Sequence, residues 1–88
     1  MAIADLTPDL AEAFQLETTR GVLIQQVIED LPADRAGLRA GDVIVALKEV
    51  SVNSVAELRL LIAETPPGTS VAVKALRKGV QESFVVVL

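Results

Sequence analysis

Chemistry at a protein site begins with groups that attack, move a proton or hold a metal, and this chain is sparing with all three. It contains no His and no Cys, which removes the usual general base, the commonest neutral metal ligand and the thiolate nucleophile. A Ser or Thr nucleophile needs a base beside it. Lys74 and Lys78 are left as activators, and both lie on or beside a predicted hairpin whose charges belong in solvent. No G-x-S-x-G stretch is present. The 12 Asp and Glu are dispersed without the spacing of a calcium loop and read as a solvated surface. These residues predict a domain that is not an enzyme, with no catalytic residue, no metal ligand and no cofactor.

What the chain does contain is aliphatic. Its 88 residues suit one domain, near the lower limit for a single core without staples. Hydrophobic residues make up 51% and aromatics only 2%, with Phe14 and Phe84 the two rings, so Val, Leu, Ile and Ala must build the core. The net charge is −4 and the eight basic residues are scattered, which with so few stacking rings argues against nucleic acid as a partner. No apolar run approaches the roughly 18 residues of a membrane span, so membrane insertion is not expected.

The elements follow from local signals. Met1 to Asp5 reads as an extended edge segment. Thr7 is placed to cap a helix that has Pro8 at its first position and Asp9 near the positive end of its dipole. That helix is expected to reach about Leu16, with Leu10, Ala13 and Phe14 inward. After a corner at Gly21, Val22 to Ile28 reads as a strand whose pattern breaks at Gln25-Gln26, as at a bulge. A loop over Glu29 to Asp34 and a short helix over Ala33 to Ala36 follow. Beyond a turn at Lys48-Glu49 and a brief extended piece over Val50 to Val52, Ser54 and Glu57 have the spacing of a capping box. The helix it opens runs from Val55 to about Glu64, where Pro66-Pro67-Gly68 stops it. Leu58 and Leu61 on it turn toward the core, whereas Val55, Arg59 and Ile62 share a neighbouring face at spacings of four and three. Ser70 to Arg77 and Gln81 to Leu88 are strands joined at Lys78-Gly79. In the last strand Phe84, Val86 and Leu88 alternate as a core face. Val85 and Val87 are apolar too, and the Pro8–Leu16 helix is expected to cover them rather than leave an exposed docking patch.

The most specific stretch is Asp34 to Leu47, DRAGLRAGDVIVAL. Gly37 stands where a short helix ends, a position favouring the left-handed backbone. Gly41-Asp42 marks a second turn, and Val43 to Leu47 a buried strand. This Ala-Gly-Leu, Gly-Asp, apolar-strand arrangement resembles the AGL-x-x-GD-x-I motif of PDZ domains, most of all those of bacterial HtrA/Deg-type periplasmic serine proteases. The resemblance extends over essentially all 88 residues, in the order of the circularly permuted bacterial form. It implies an α+β fold: a small, twisted, mostly antiparallel half-open barrel of five or six strands capped by two or three helices. It also implies that residues 1–88 are a single PDZ domain excised from a larger protease.

The same resemblance implies a function. A PDZ domain binds an extended peptide by strand addition at a sheet edge, with a helix as the groove's other wall. Carried onto this chain, the edge strand is Met1, Ala2, Ile3 and Ala4, and the wall presents Val55, Arg59 and Ile62. The terminal side chain of the peptide is then expected among Met1, Ile3, Val55 and Ile62, and Arg59 against a peptide carbonyl or acidic side chain. The family's carboxylate-holding loop has a Gly between apolar residues, and Met1 aligns with its last position, so the loop's earlier residues are expected to be truncated here. The implied partners are hydrophobic C-terminal or unfolded protein segments and the parent's protease domain, in a periplasmic protease that forms oligomers. Two alternatives stand beside this: a PDZ domain of another bacterial protein (a site-2 metalloprotease, a C-terminal processing protease or a secretion component), or a structural assembly domain with no peptide ligand.

Overall fold

The computed structural model describes residues 2–13, 16 and 20–88. Its elements run β1 (Ala2–Asp5), α1 (Pro8–Ala13), β2 (Val22–Gln26), α2 (Pro32–Arg35), β3 (Val43–Leu47), β4 (Val50–Ser51), α3 (Val55–Ala63), β5 (Ser70–Arg77) and β6 (Val80–Val87). The strands form one antiparallel six-stranded sheet in the order β1-β2-β3-β5-β6, with β4 paired to β3. The sheet does not close on itself. β1 and β6 are the strands at its two ends, and three helices cap it among the described residues.

The local signals act largely as the sequence predicts. Thr7 Oγ1 accepts the Leu10 N–H at 3.2 Å, capping α1. In β2 the break at Gln25 is a bulge: Ile3 pairs with Ile24 and Ala2 with Gln26, which leaves Gln25 as the extra residue. Ser54 Oγ accepts the Glu57 N–H at 3.2 Å. The return bond of the box is displaced by one residue, because Glu57 Oε2 accepts from Asn53 N at 2.6 Å. Gly21 has φ +131°, and a Cβ there would stand 2.8 Å from Val43 Cγ1 and 2.9 Å from the Ile44 carbonyl. Only a residue without a side chain lets the chain turn so closely over β3.

Two apolar clusters result. The larger is centred on Ile24, Ile44, Leu58, Val71, Val73 and Val86, beneath α3, with Ile3, Val55 and Leu61 packed against it. The smaller joins Leu6, Ala11, Leu23 and Val43, with Leu10 and Leu16 at its margin.

Three expectations need correction. In α1, described over Pro8–Ala13, the buried residue is Ala11, whereas Ala13, expected inward, is exposed; Phe14 lies outside the described residues. β2 ends at Gln26, two residues short of Ile28, which is 51% exposed. Most consequentially, α1 does not cover the second face of β6: Val85 and Val87 are 63% and 53% exposed. Strand order is the reason. A short helix between β1 and β2 is confined to their end of the sheet, where Leu23 and Val43 receive it, and β3 and β5 separate it from β6.

Candidate peptide groove

The Gly37–Asp42 corner holds the sheet in shape. Gly37 and Gly41 have φ of 96° and 95°, the backbone region expected of them. Asp42 is 2% exposed, a burial that a carboxylate tolerates only when its oxygens are occupied. Its Oδ2 accepts from Arg39 N at 2.9 Å and from Arg77 Nη2 at 2.7 Å, and its Oδ1 accepts from Arg77 Nε at 2.9 Å. Arg77 also donates to the Gly37 carbonyl at 2.7 Å and stacks 5.0 Å from the centre of the Phe84 ring. The hydrogen bond to Asp42 raises the Arg77 pKa; partial desolvation opposes this, and the charges of Asp42 and Glu82 add to it. A raised value in a cation means that the pair's contribution is complete below the unfolded arginine's pKa and fades only as pH climbs through the folded one. Beside this pair lies an open cavity of about 370 Å³ whose lining includes Arg39, Asp42, Arg77 and Lys78.

The open feature is β1. Among the described residues it pairs only with β2, so its other edge carries backbone groups without a partner strand there, and α3 packs beside it. Along β1, Ala2 is exposed and Ile3 and Ala4 are half-buried. On α3, Val55 is half-buried, Arg59 is exposed and Ile62 is 36% exposed. At one end of this groove Asp5 Oδ1 accepts the Val55 N–H at 2.7 Å. Toward the other lies a cavity of about 60 Å³ lined only by aliphatic side chains, among them Leu38, Leu58, Ile62, Val71, Val86 and Leu88. All its lining residues are buried except Ala33, Ile62 and Leu88, so it opens toward them.

The sequence-derived residues divide between these features. Ile62 lines the cavity; Ile3 and Val55 pack on the main core beside it instead. Ala2 and Ala4 lie on the edge strand and Arg59 on the helix wall. Met1 is outside the described residues. Sequence reasoning overlooked Leu58 and Leu88 as cavity walls, and Asp5 as a tie between strand and helix. No local signal marks Asp5, since its partner is 50 residues away. Among the described residues no group of His, Cys, Asp or Glu is placed to hold a metal, and no helix is long and apolar enough to cross a membrane.

A family model described as "PDZ domain" matches residues 8–88. The chain belongs to the PDZ domain family. The PDZ domain is 43% identical over 77 residues to a "Probable periplasmic serine endoprotease DegP-like" of Rickettsia conorii, covering 88% of this chain and 15% of that protein. It is 41% identical over 75 residues to the "Periplasmic pH-dependent serine endoprotease DegQ" of Escherichia coli, covering 85% of this chain and 16% of the enzyme. The chain thus spans about a sixth of the curated relatives it matches. Among solved structures, the HtrA-type protease AlgW with a decapeptide superposes with TM-score 0.86 at 32% identity, over 96% of this chain and 26% of that one. The HtrA3 PDZ domain, bound to a phage-derived ligand (FGRWV), shares the fold with TM-score 0.84 at 22% identity, over 99% of this chain and 79% of that one. The matching region is a small part of much longer endoproteases, and its sequence has neither His nor Cys.

Proposed function

We propose that this PDZ domain captures hydrophobic C-terminal or unfolded protein segments by strand addition to β1 and presents them to an attached trypsin-like serine protease in the periplasm. Residues 1–88 act as a single PDZ domain of that larger protein. The observation that carries the reading is the unpaired edge of β1 lying beside α3, with an aliphatic cavity at one end of the groove between them. Backbone groups of Met1, Ala2, Ile3 and Ala4 pair with the incoming strand, which supplies affinity independent of sequence. Val55, Arg59 and Ile62 form the wall. The naming of the relatives as periplasmic serine endoproteases, and of AlgW with a bound decapeptide, supports the same reading.

Cavity size bears on the terminal residue. An apolar cavity of roughly 150 Å³ takes up benzene, and this one, at about 60 Å³, is less than half that. It suits Val or Ala better than Phe. The test is a fluorescence-polarisation titration with labelled peptides ending in Val, Ala, Leu or Phe, each with a free or an amidated terminus. The label sits on the peptide because the chain has no Trp or Tyr. Micromolar binding, ~−8 kcal/mol, that prefers Val supports the groove; binding lost on amidation adds carboxylate recognition. Absence of binding to every peptide refutes the reading.

A second reading rests on a separate observation. β6 is the other open edge, and its Val85 and Val87 stand in solvent, as a self-association surface would. Light scattering after size exclusion tests it: an oligomer that resists dilution favours assembly, and a monomer leaves strand addition as the function.

A further inference from the structure

The groove's end remote from the aliphatic cavity is occupied by a carboxylate. Asp5 is the last residue of β1 and is exposed. Ile3 and Asp5 are two apart on an extended strand, so their side chains leave the same face, and Ile3 packs on the core beneath α3. Asp5 accordingly reaches toward the helix, and its Oδ1 accepts the Val55 N–H at 2.7 Å. One turn of α3 then gathers two carboxylates, because Glu57 Oε2 accepts from Asn53 N close by. No cation among the described residues pairs with either: the two ion pairs they contain join Arg77 to Asp42 and to Glu82. Along the groove the wall therefore runs from aliphatic at Ile62, through the cation of Arg59, to negative at Asp5.

We propose that Asp5 is a specificity-determining residue of this groove, selecting a Lys or Arg two or four residues upstream of the bound segment's terminal apolar residue and rejecting Glu or Asp there. The inference rests on the strand-addition reading above. Helix geometry sets the spacing. Ile62 and Val55 are seven residues apart on α3, about 10 Å at roughly 1.5 Å per residue. An extended segment advances about 3.4 Å per residue, so it crosses that distance in about three residues. Side chains alternate; with the terminal one in the cavity, the second and fourth upstream also face α3 and bracket Asp5, while the third faces away. The Val55 N–H occupies one oxygen of Asp5 without neutralising its charge, which is left for an incoming cation.

The test uses labelled seven-residue peptides ending in Val on an alanine background, with Lys or Glu placed two, three or four residues upstream. Each is titrated against the chain and its Asp5→Asn and Asp5→Glu variants. Asparagine keeps an oxygen for the Val55 N–H and removes the charge; Glu keeps the charge. The expected result is a Lys-over-Glu preference of about five-fold at position two or four, the size of an exposed pair gained against one repelled. Position three shows none. The preference falls below about two-fold in Asp5→Asn, persists in Asp5→Glu and weakens with added salt. Equal affinity for Lys and Glu peptides, or a preference untouched by Asp5→Asn, overturns the role of Asp5 and leaves the groove standing if the all-alanine peptide binds. Failure of the all-alanine peptide to bind overturns the groove itself, and Asp5 with it.

Discussion

At the Gly37–Asp42 corner one buried carboxylate accepts three hydrogen bonds, from residues 3 and 35 positions away. At the groove, among the described residues, a single hydrogen bond from Val55 to Asp5 crosses from α3 to β1, and the outer edge of β1 has no partner strand. The two regions divide the tasks of the domain. The corner uses its polar groups on one another, and through Arg77 it fastens the β5–β6 hairpin to the end of α2. The groove leaves its polar groups unspent, as the proposed strand addition requires. Regions that must accept a ligand are drawn from the less tightly held parts of a fold. The AGL-x-x-GD-x-I motif lies in the corner, apart from the proposed groove.

The largest expected effects separate the two. Asp42→Ala removes the acceptor for three donors and leaves the guanidinium without its partner, at a cost of about 3 kcal/mol. For a domain of this size that lowers Tm by roughly 12–24 °C, to be read by circular-dichroism melting. Below the transition, affinity for a Val-ending peptide is expected to change less than two-fold; a ten-fold loss there would break the division. Leu58→Ala and Ile62→Ala then test the same cavity from two sides. Leu58 is 1% exposed, and its truncation costs about 3 kcal/mol in stability. Ile62, 36% exposed, costs about 1 kcal/mol in stability but weakens Val-ending peptides about ten-fold, the loss of one good apolar contact. If Ile62→Ala proves the more destabilising and spares affinity, the cavity belongs to the core alone.

Much of the frame was legible because its causes are local. Val43–Leu47 and Ser70–Arg77 have the bounds that their apolar runs and flanking turns predict. Gly37 and Gly41 adopt positive φ where helix end and turn require it, and Ser54 caps α3 through its own first turn. The proposed groove wall rests on the same kind of signal, since Val55, Arg59 and Ile62 share a face of α3 by helical spacing. What escaped depends on partners distant in sequence. In the sequence Arg77 is one of eight scattered cations, and nothing near it in the chain points to Asp42. Asp5 meets Val55 only once β1 has been laid beside α3. Val85 and Val87 show by alternation that β6 has two apolar faces, but which layer covers the second depends on strand order. Here none of the described helices does, and both residues stand exposed.

Smaller effects sharpen the contrast along α3 itself. Ser54→Ala removes the cap from Glu57 N and is expected to cost about 1 kcal/mol, measured as a lower urea midpoint with an unchanged slope. It also loosens the helix end that Asp5 holds, so affinity should fall by a comparable amount if the groove's walls are set there, and stay constant if β1 alone binds. Arg59→Ala is the finest discriminator. Arg59 is exposed, and neither ion pair among the described residues involves it, so stability should move by no more than about 0.5 kcal/mol. Its position one turn beyond Val55 puts it over the middle of a bound strand, where a peptide carbonyl or an acidic side chain is its natural partner. A loss of about three-fold in affinity, larger for a peptide with Glu than with Ala at that point, would match an exposed charged contact. Identical affinities for every peptide would reduce Arg59 to a solvated surface residue and confine the groove's reading of charge to Asp5.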